Sequence, residues 1–374
     1  MHVLVTGDTL SGSWTYTREL VTGLVTRGVR VTLVSFGEIP LPAQTSWMDH
    51  LHGLEYLPTA FRLEWMQEAE ESLQESSEFL VGLVREVRPD VLHLHQFCYG
   101  DLRVKVPRVV MAYGDLMTWR EAVPAQGGAQ ADHHSLAWYR EAVLRGLGGA
   151  SAVVTPSEWM LDRISACYSR PARTQVIYPG RNPIFFNPYV SKDDCVLAVG
   201  RLVDASRQVF LLTQHVHSVP VCIVGTEHTV PTPRVPIRAD VKVATEQTSV
   251  AIRGPQTEAQ LRALYSRAAI YAATARYEPL AMPALEAAFS RCAIVANDIP
   301  SYREMWGDAV LYFRTNDAAS LAESINALNE DRAMRRAYAE MAYARARERF
   351  TTKRMIDEYL QLYRSLISVR TIAA

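Results

Sequence analysis

Short runs rich in Val, Ile and Leu, four to seven residues long, recur along this chain and alternate with stretches of helical period. A strand covered on both faces needs a near-continuous apolar run, and parallel neighbours need a crossover between them, usually a helix. The alternation therefore points to an α/β fold built on parallel sheets. Strands are expected at 2–6, 29–36, 91–94, 108–112, 152–155 and 175–178, and helices at 14–26, 64–87, 135–147 and 158–168, the last capped by Ser157. Residues 178–194 then carry Pro179, Gly180, Pro183, Asn187 and Pro188, the densest turn chemistry in the middle of the chain. Beyond them the alternation restarts, with strands at 195–199, 219–224, 250–252, 269–273 and 293–296. Helices are expected from Ala205 and at 258–267 and 282–290. Two doubly wound domains follow from this pattern, 1–183 and 184–354. Helical patterns without strands fill 316–367, and the final helix, within 355–374, is expected to return to the first domain. The Pro-rich stretch 227–243 reads as a surface loop, and no repeat of solenoid period is present.

With 374 residues, 48% of them hydrophobic, the chain has material for two cores. Its 39 Lys and Arg against 40 Asp and Glu give no global electrostatic reason to bind nucleic acid, so any anion must be held locally. Charge is nevertheless uneven. Residues 38–101 hold twelve acidic residues against three arginines, and 332–354 hold eight basic against two acidic, a pattern that solvated helix faces explain. No apolar run approaches the ~18 residues that span a bilayer, and Met1 leads straight into a strand, so a soluble cytoplasmic protein is expected. Cys98, Cys167, Cys195, Cys222 and Cys292 are scattered without C-x-x-C spacing and read as reduced, mostly buried thiols. His93 and His95 alternate on a strand without an obvious third ligand, so no metal is expected.

Doubly wound sheets bind ligands beyond the carboxyl ends of their strands, so the loops there carry the chemistry. The first is Gly7-Asp8-Thr9-Leu10-Ser11-Gly12-Ser13, whose small residues let backbone approach a ligand ahead of a helix N-terminus. It is not G-x-G-x-x-G, and an ordinary turn explains it equally well. The second domain opens with Val199-Gly200-Arg201-Leu202, with Arg207 six residues after Arg201. Two guanidiniums beside one such loop can clamp a phosphate, although Arg201 could instead pair with a carboxylate. The third loop, Tyr277-Glu278-Pro279-Leu280-Ala281-Met282, opens the helix that contains Glu286. Two carboxylates in so apolar a run are hard to dismiss as surface decoration. Trp14, Tyr16, Trp119 and Trp138 lie in or near first-domain loops, where they suit either sugar stacking or core packing.

Together these residues resemble the retaining glycosyltransferases of family 4 (glycosyl transferases group 1). The resemblance rests on the Gly-containing first loop, the G-R-L loop with Arg207, the Glu278-x7-Glu286 motif and the closing helices, and covers nearly the whole chain. It implies the GT-B fold, two Rossmann-like domains with parallel sheets facing a central cleft, and transfer of a hexosyl unit from a nucleotide diphosphate sugar without a cofactor or metal. The acceptor would be a sugar-containing or hydroxylated small molecule, or a glycan. Arg201 and Arg207 would then neutralise the leaving diphosphate, and the N–H groups of Leu280, Ala281 and Met282 would help hold its distal phosphate. Glu286 would accept from ribose hydroxyls and Glu278 from the hexose, Arg253-Gly254 would meet the base, and Gly12 would let the first loop approach the donor. Ser11, Trp14, Asp115 and Trp119 fall on the acceptor side. The chain departs from the family pattern at Tyr113, where relatives place a histidine, at Arg207 for a lysine, and at Ala281 and Ser11 for glycines. A nucleotide-sugar epimerase and a non-catalytic nucleotide-sugar binder are the alternative readings.

Overall fold

The computed structural model describes residues 1–10, 12–66, 68–123, 133–225 and 250–373. They divide into two units: Met1–Thr118, Gln130–Gly180 and Thr352–Ala374 form the first, Trp119–Ala129 and Arg181–Thr351 the second.

The first half of the chain runs β1 (His2–Asp8), α1 (Ser13–Thr26), β2 (Arg30–Phe36), α2 (Pro42–Thr45), β3 (Leu54–Pro58), α3 (Ala69–Val87), β4 (Val91–Leu94) and β5 (Arg108–Met111). Then come α4 (Leu116–Ala122), α5 (His133–Gly149), β6 (Ala152–Thr155), α6 (Glu158–Tyr168) and β7 (Thr174–Val176). The sheet is wholly parallel, in the order β3-β2-β1-β4-β5-β6-β7. Leu4, Leu92, Val110 and Val153 carry its core into contact with Leu80, Val143 and Ile164 of the covering helices. Strand β3 is absent from the sequence reading because Leu54-Glu55-Tyr56-Leu57-Pro58 lies at the sheet edge, half exposed, and lacks a continuous apolar run. Helix α3 begins five residues later than expected. Glu64 instead turns inward, and its carboxylate accepts the Phe97 and Cys98 N–H groups at 3.0 and 2.9 Å. At the start of α6, Ser157 accepts the Met160 N–H at 3.1 Å, as a capping serine should.

The second unit contains β8 (Asp193–Val199), β9 (Val221–Val224), β10 (Val250–Arg253), α7 (Glu258–Arg267), β11 (Ala268–Ala273) and α8 (Met282–Phe289). It continues with β12 (Ala293–Asn297), α9 (Pro300–Trp306), β13 (Leu311–Phe313), α10 (Ala318–Glu330) and α11 (Arg332–Arg349). Its sheet, also parallel, has the order β10-β9-β8-β11-β12-β13. The helix expected from Ala205 is not formed. Asp204 captures the Ser206 N–H at 2.9 Å and the Ser206 hydroxyl at 2.6 Å, winding the segment into a turn, and only a short 3₁₀ helix (Val209–Thr213) follows. The Pro-rich stretch 227–243 lies outside the described residues.

In both sheets the strand order reverses beside the first strand, between β1 and β4 and between β8 and β11. These are the switch points where connections leave in opposite directions and open a crevice. The last helix, α12 (Thr352–Ala373), belongs to the first unit and lies against α1. A Cβ on Gly23 would come within 2.5 Å of the Ile356 side chain, so glycine permits the approach. The Tyr16 and Tyr359 hydroxyls share a 2.5 Å hydrogen bond, and the Tyr363 hydroxyl meets His93 Nδ1 at 2.6 Å. Among the described residues no helix is long and apolar enough to cross a membrane.

Candidate active site

At the second switch point the loops after β8 and β11 are stitched together by their backbones. The Thr274 hydroxyl donates to the Arg207 carbonyl at 2.7 Å, and the Arg276 N–H to the Ser206 carbonyl at 2.9 Å. A Cβ on Gly225 would fall 2.1 Å from the Gly200 carbonyl oxygen, so the ends of β8 and β9 can close up only around a glycine. This frame brings Arg207 of one loop onto Glu278 of the other as a direct ion pair. Glu278 is 3% exposed, and its other oxygen accepts the Ala281 N–H at 2.9 Å. One of the three amides expected at a phosphate is therefore already committed to Glu278. Ala281 itself sits at φ 49°, in the left-handed region that the family glycine would occupy without strain. Helix α8 starts at Met282, so its positive end faces this loop.

Arg201 stands 40% exposed, with Nη2 3.5 Å from Asp204 Oδ2. Burial alone would raise the Asp204 pKa, but Arg207, Ser206 and Arg201 outweigh it and hold the carboxyl below its ordinary value. Arg201 thus leans toward a carboxylate and remains open to solvent. Glu286, in the second turn of α8, pairs at 2.8 Å with Arg181. Arg181 is 1% exposed and was not singled out from the sequence, because it lies in the turn-rich stretch 178–194. Arg253 ends strand β10 and is exposed together with Gly254. Two strand spacings separate β10 from β8, roughly 10 Å, so this pair stands apart from the Arg207–Glu278 loops.

The first unit is arranged differently. Tyr113, half-buried after β5, presents its ring edge-on to His95, with centroids 5.7 Å apart. Burial lowers the His95 pKa to about 3, so the imidazole is neutral at physiological pH. Its Nδ1 lies 3.2 Å from the Thr17 hydroxyl. Among the described residues no group of three or more His, Cys, Asp and Glu side chains converges as a metal site would. Asp115 caps α4: its carboxylate accepts the Met117 and Thr118 N–H groups at 3.1 and 3.0 Å, together with the Thr118 and Tyr168 hydroxyls. Its acceptor capacity is largely spent inside the protein. Trp14 donates from Nε1 to the Gln44 carbonyl at 3.2 Å and meets Trp47 edge-on, whereas Trp119, half-buried on α4, falls in the second unit. Tyr16 is fully buried and Trp138 packs on the core, so both serve packing. Gly12 precedes α1 at φ −62°, a conformation any residue adopts, and Ser11 lies outside the described residues.

Residues 10–184 match Glycosyltransferase Family 4, and residues 185–345 match Glycosyl transferases group 1. The chain is 26% identical over 307 residues to alpha-maltose-1-phosphate synthase of Mycolicibacterium smegmatis, covering 73% of this chain and 76% of that one. Sucrose-phosphate synthase from Thermosynechococcus elongatus is similar in structure with a TM-score of 0.80 at 17% identity, covering 99% of this chain and 100% of that chain. Anabaena HepE, solved in complex with UDP and glucose, gives 0.72 at 15% identity, covering 98% and 100%. At such identities the structural likenesses speak for the fold, two Rossmann-like domains of GT-B type. The two family matches together run from residue 10 to residue 345, and the chain belongs to the family 4, group 1 glycosyltransferases.

Proposed function

We propose that this glycosyltransferase moves a hexosyl unit from a nucleotide diphosphate sugar to a hydroxylated small-molecule or glycan acceptor, with retention of anomeric configuration. The observation that carries the reading is the meeting of Arg207 with the buried Glu278 at the β8/β11 switch point, beside the N-terminus of α8. Breaking the anomeric C–O bond leaves an oxocarbenium-like sugar and adds negative charge to the diphosphate. Arg207, Arg201 and the positive end of α8 are the groups suited to stabilise that charge. An arriving diphosphate exchanges with Glu278 for Arg207, and the released carboxylate turns to hydroxyls of the hexose. The departing phosphate takes the acceptor proton on the same face, so the chemistry needs neither a dedicated base nor a metal. Tyr113 lies at the end of the first sheet, where a phenol can donate to a sugar hydroxyl without shuttling protons near neutrality.

The names of the relatives guide the choice of substrates. HepE was solved with UDP and glucose, and the synthase relatives are named for sugar phosphates, so UDP-glucose and phosphorylated sugars are the first donor and acceptors to try. The test is to incubate the protein with UDP-, ADP- and GDP-sugars, with and without acceptor, and to measure nucleoside diphosphate release. Release that depends on acceptor, with an α-linked product from an α-linked donor, is the expected result. Conversion of the sugar with the diphosphate still attached, or binding without turnover, overturns the reading.

A further inference from the structure

Between β11 and α8 the chain runs irregularly from Thr274 to Ala281, and this loop carries Glu278. Strand β11 lies between β8 and β12, so the loop has two flanks. On the β8 flank the Thr274 hydroxyl and the Arg276 N–H hold it to the Arg207 and Ser206 carbonyls. On the β12 flank the backbone ladder ends at the pairing of Ala273 with Ala296. The next residue of β12 is Asn297, fully buried, and its side chain takes over where the backbone ladder stops. Nδ2 donates to the Ala275 carbonyl at 3.1 Å and to Asn316 Oδ1 at 2.9 Å, with the Thr274 carbonyl at 3.5 Å. Oδ1 accepts the Asn316 N–H at 2.9 Å.

A carboxamide carries both a carbonyl and N–H donors, so it bridges the ends of two strands much as a peptide group would. Its orientation is set by its neighbours: Oδ1 belongs against the Asn316 N–H, which leaves Nδ2 for the carbonyls. Asn316 presents that N–H from the left-handed region, at φ 60°, where asparagine is tolerated better than most side chains. A carboxylate of the same size would keep the Asn316 N–H. It would also set an anion without donors against the Ala275 carbonyl, in a place closed to water. Glu278 follows Ala275 in the same loop, so a tilt at the latch is carried to the carboxylate that meets Arg207.

We infer that Asn297 is a positioning residue. By clasping the backbone of Thr274 and Ala275 it keeps Thr274 on the Arg207 carbonyl and Glu278 against the Arg207 guanidinium, so that both groups are in place when charge develops on the diphosphate. The inference rests on the transfer reaction proposed above. The test compares wild type with Asn297→Ala, Asn297→Asp, Thr274→Val and the double variant Asn297→Ala/Thr274→Val. The readouts are crystal structures, and kcat and KM for acceptor-dependent diphosphate release, counted per folded molecule. Because Arg207 meets charge that grows only in the transition state, Asn297→Ala should lower kcat about 10- to 100-fold and keep the donor KM within about threefold. Asn297→Asp should lose as much, although it keeps the volume and the Asn316 N–H. Both links act on one arginine, so the double variant should fall within about twofold of the weaker single variant. The crystal structures of the Asn297 variants should show Glu278 parted from Arg207. A merely structural latch lowers the melting temperature and leaves kcat of the folded enzyme normal, which overturns the proposal. Losses that multiply in the double variant make the two links independent and overturn it as well. Should Asn297→Ala fail to fold, Asn297→Asp takes its place, alone and with Thr274→Val, on the same readouts. If wild type releases no diphosphate from any donor, the transfer reaction falls and the crystal structures decide the latch alone. An undisturbed Arg207–Glu278 pair in the Asn297 variants then overturns it.

Discussion

In the first unit, several buried titratable side chains meet neutral partners. Tyr16 bonds Tyr359, His93 bonds Tyr363, His95 faces Thr17, and Glu64 and Asp115 accept backbone N–H groups. In the second unit the corresponding groups are paired as ions: Arg207 with Glu278, Arg181 with Glu286, and Arg201 close to Asp204. The two units share a strand order beside their switch points, so the difference comes from side chains rather than from architecture. Neutral pairs in a dry interior fix a shape and have little reason to exchange. An ion pair reached by solvent, such as that of the 28% exposed Arg207, can trade its carboxylate for an incoming anion. The proposed donor reading therefore draws on the ion pairs of the second unit.

The comparison breaks most decisively at Arg207. Arg207→Met should lower kcat/KM by about 10²- to 10³-fold, the scale on which loss of one charge-stabilising donor is felt. Acceptor-dependent diphosphate release measures it, and near-normal kinetics would remove the clamp from the mechanism.

Smaller is the effect of acid on the buried histidines of the first unit. Burial holds the His93 and His95 pKa values below the ordinary 6.5, that of His95 at about 3. Below pH 6.5 the unfolded chain takes up protons that the folded chain refuses, so stability falls as pH falls. For His95 the loss is on the order of 2 to 3 kcal/mol at pH 4.5. Urea unfolding from pH 7 to 4.5 should show a shallower decline in His95→Gln than in wild type. Equal slopes would mean that His95 titrates normally when folded.

Smallest is Ala281→Gly. Relief of the left-handed alanine, offset by the added freedom of glycine when unfolded, should leave a gain of about 0.5 kcal/mol. A lowered urea midpoint would show that the alanine methyl contributes more by packing than its backbone costs.

The sequence displays these two units unequally. Central strands such as 91–94 and 152–155 are legible because burial on both faces forces an unbroken apolar run. The edge strand β3, half exposed and alternating, leaves no such trace. A helix from Ala205 is a fair reading of local composition, yet one Asp204 side chain bonding two residues ahead outweighs it. Arg201, Arg207, Glu278 and Glu286 stand out because charge is rare in loops so apolar. What the pattern cannot display is that Arg207 and Glu278, 71 positions apart, satisfy one another, since this depends on two loops being sewn edge to edge. Arg181 is hidden for a similar reason: among prolines and glycines an arginine looks like linker, and only the folded chain shows it buried and paired with Glu286.

The return of α12 to the first unit also sets an order of events during synthesis. All seven strands of the first sheet have been made by residue 176, but the hydroxyls that meet Tyr16 and His93 arrive only with Tyr359 and Tyr363. At about 5–20 residues per second, that face waits roughly ten to forty seconds for its cover. By residue 351 the second unit already has all of its chain. The half begun first is thus finished last, and loss of the last two dozen residues would injure the half that lies at the opposite end of the sequence.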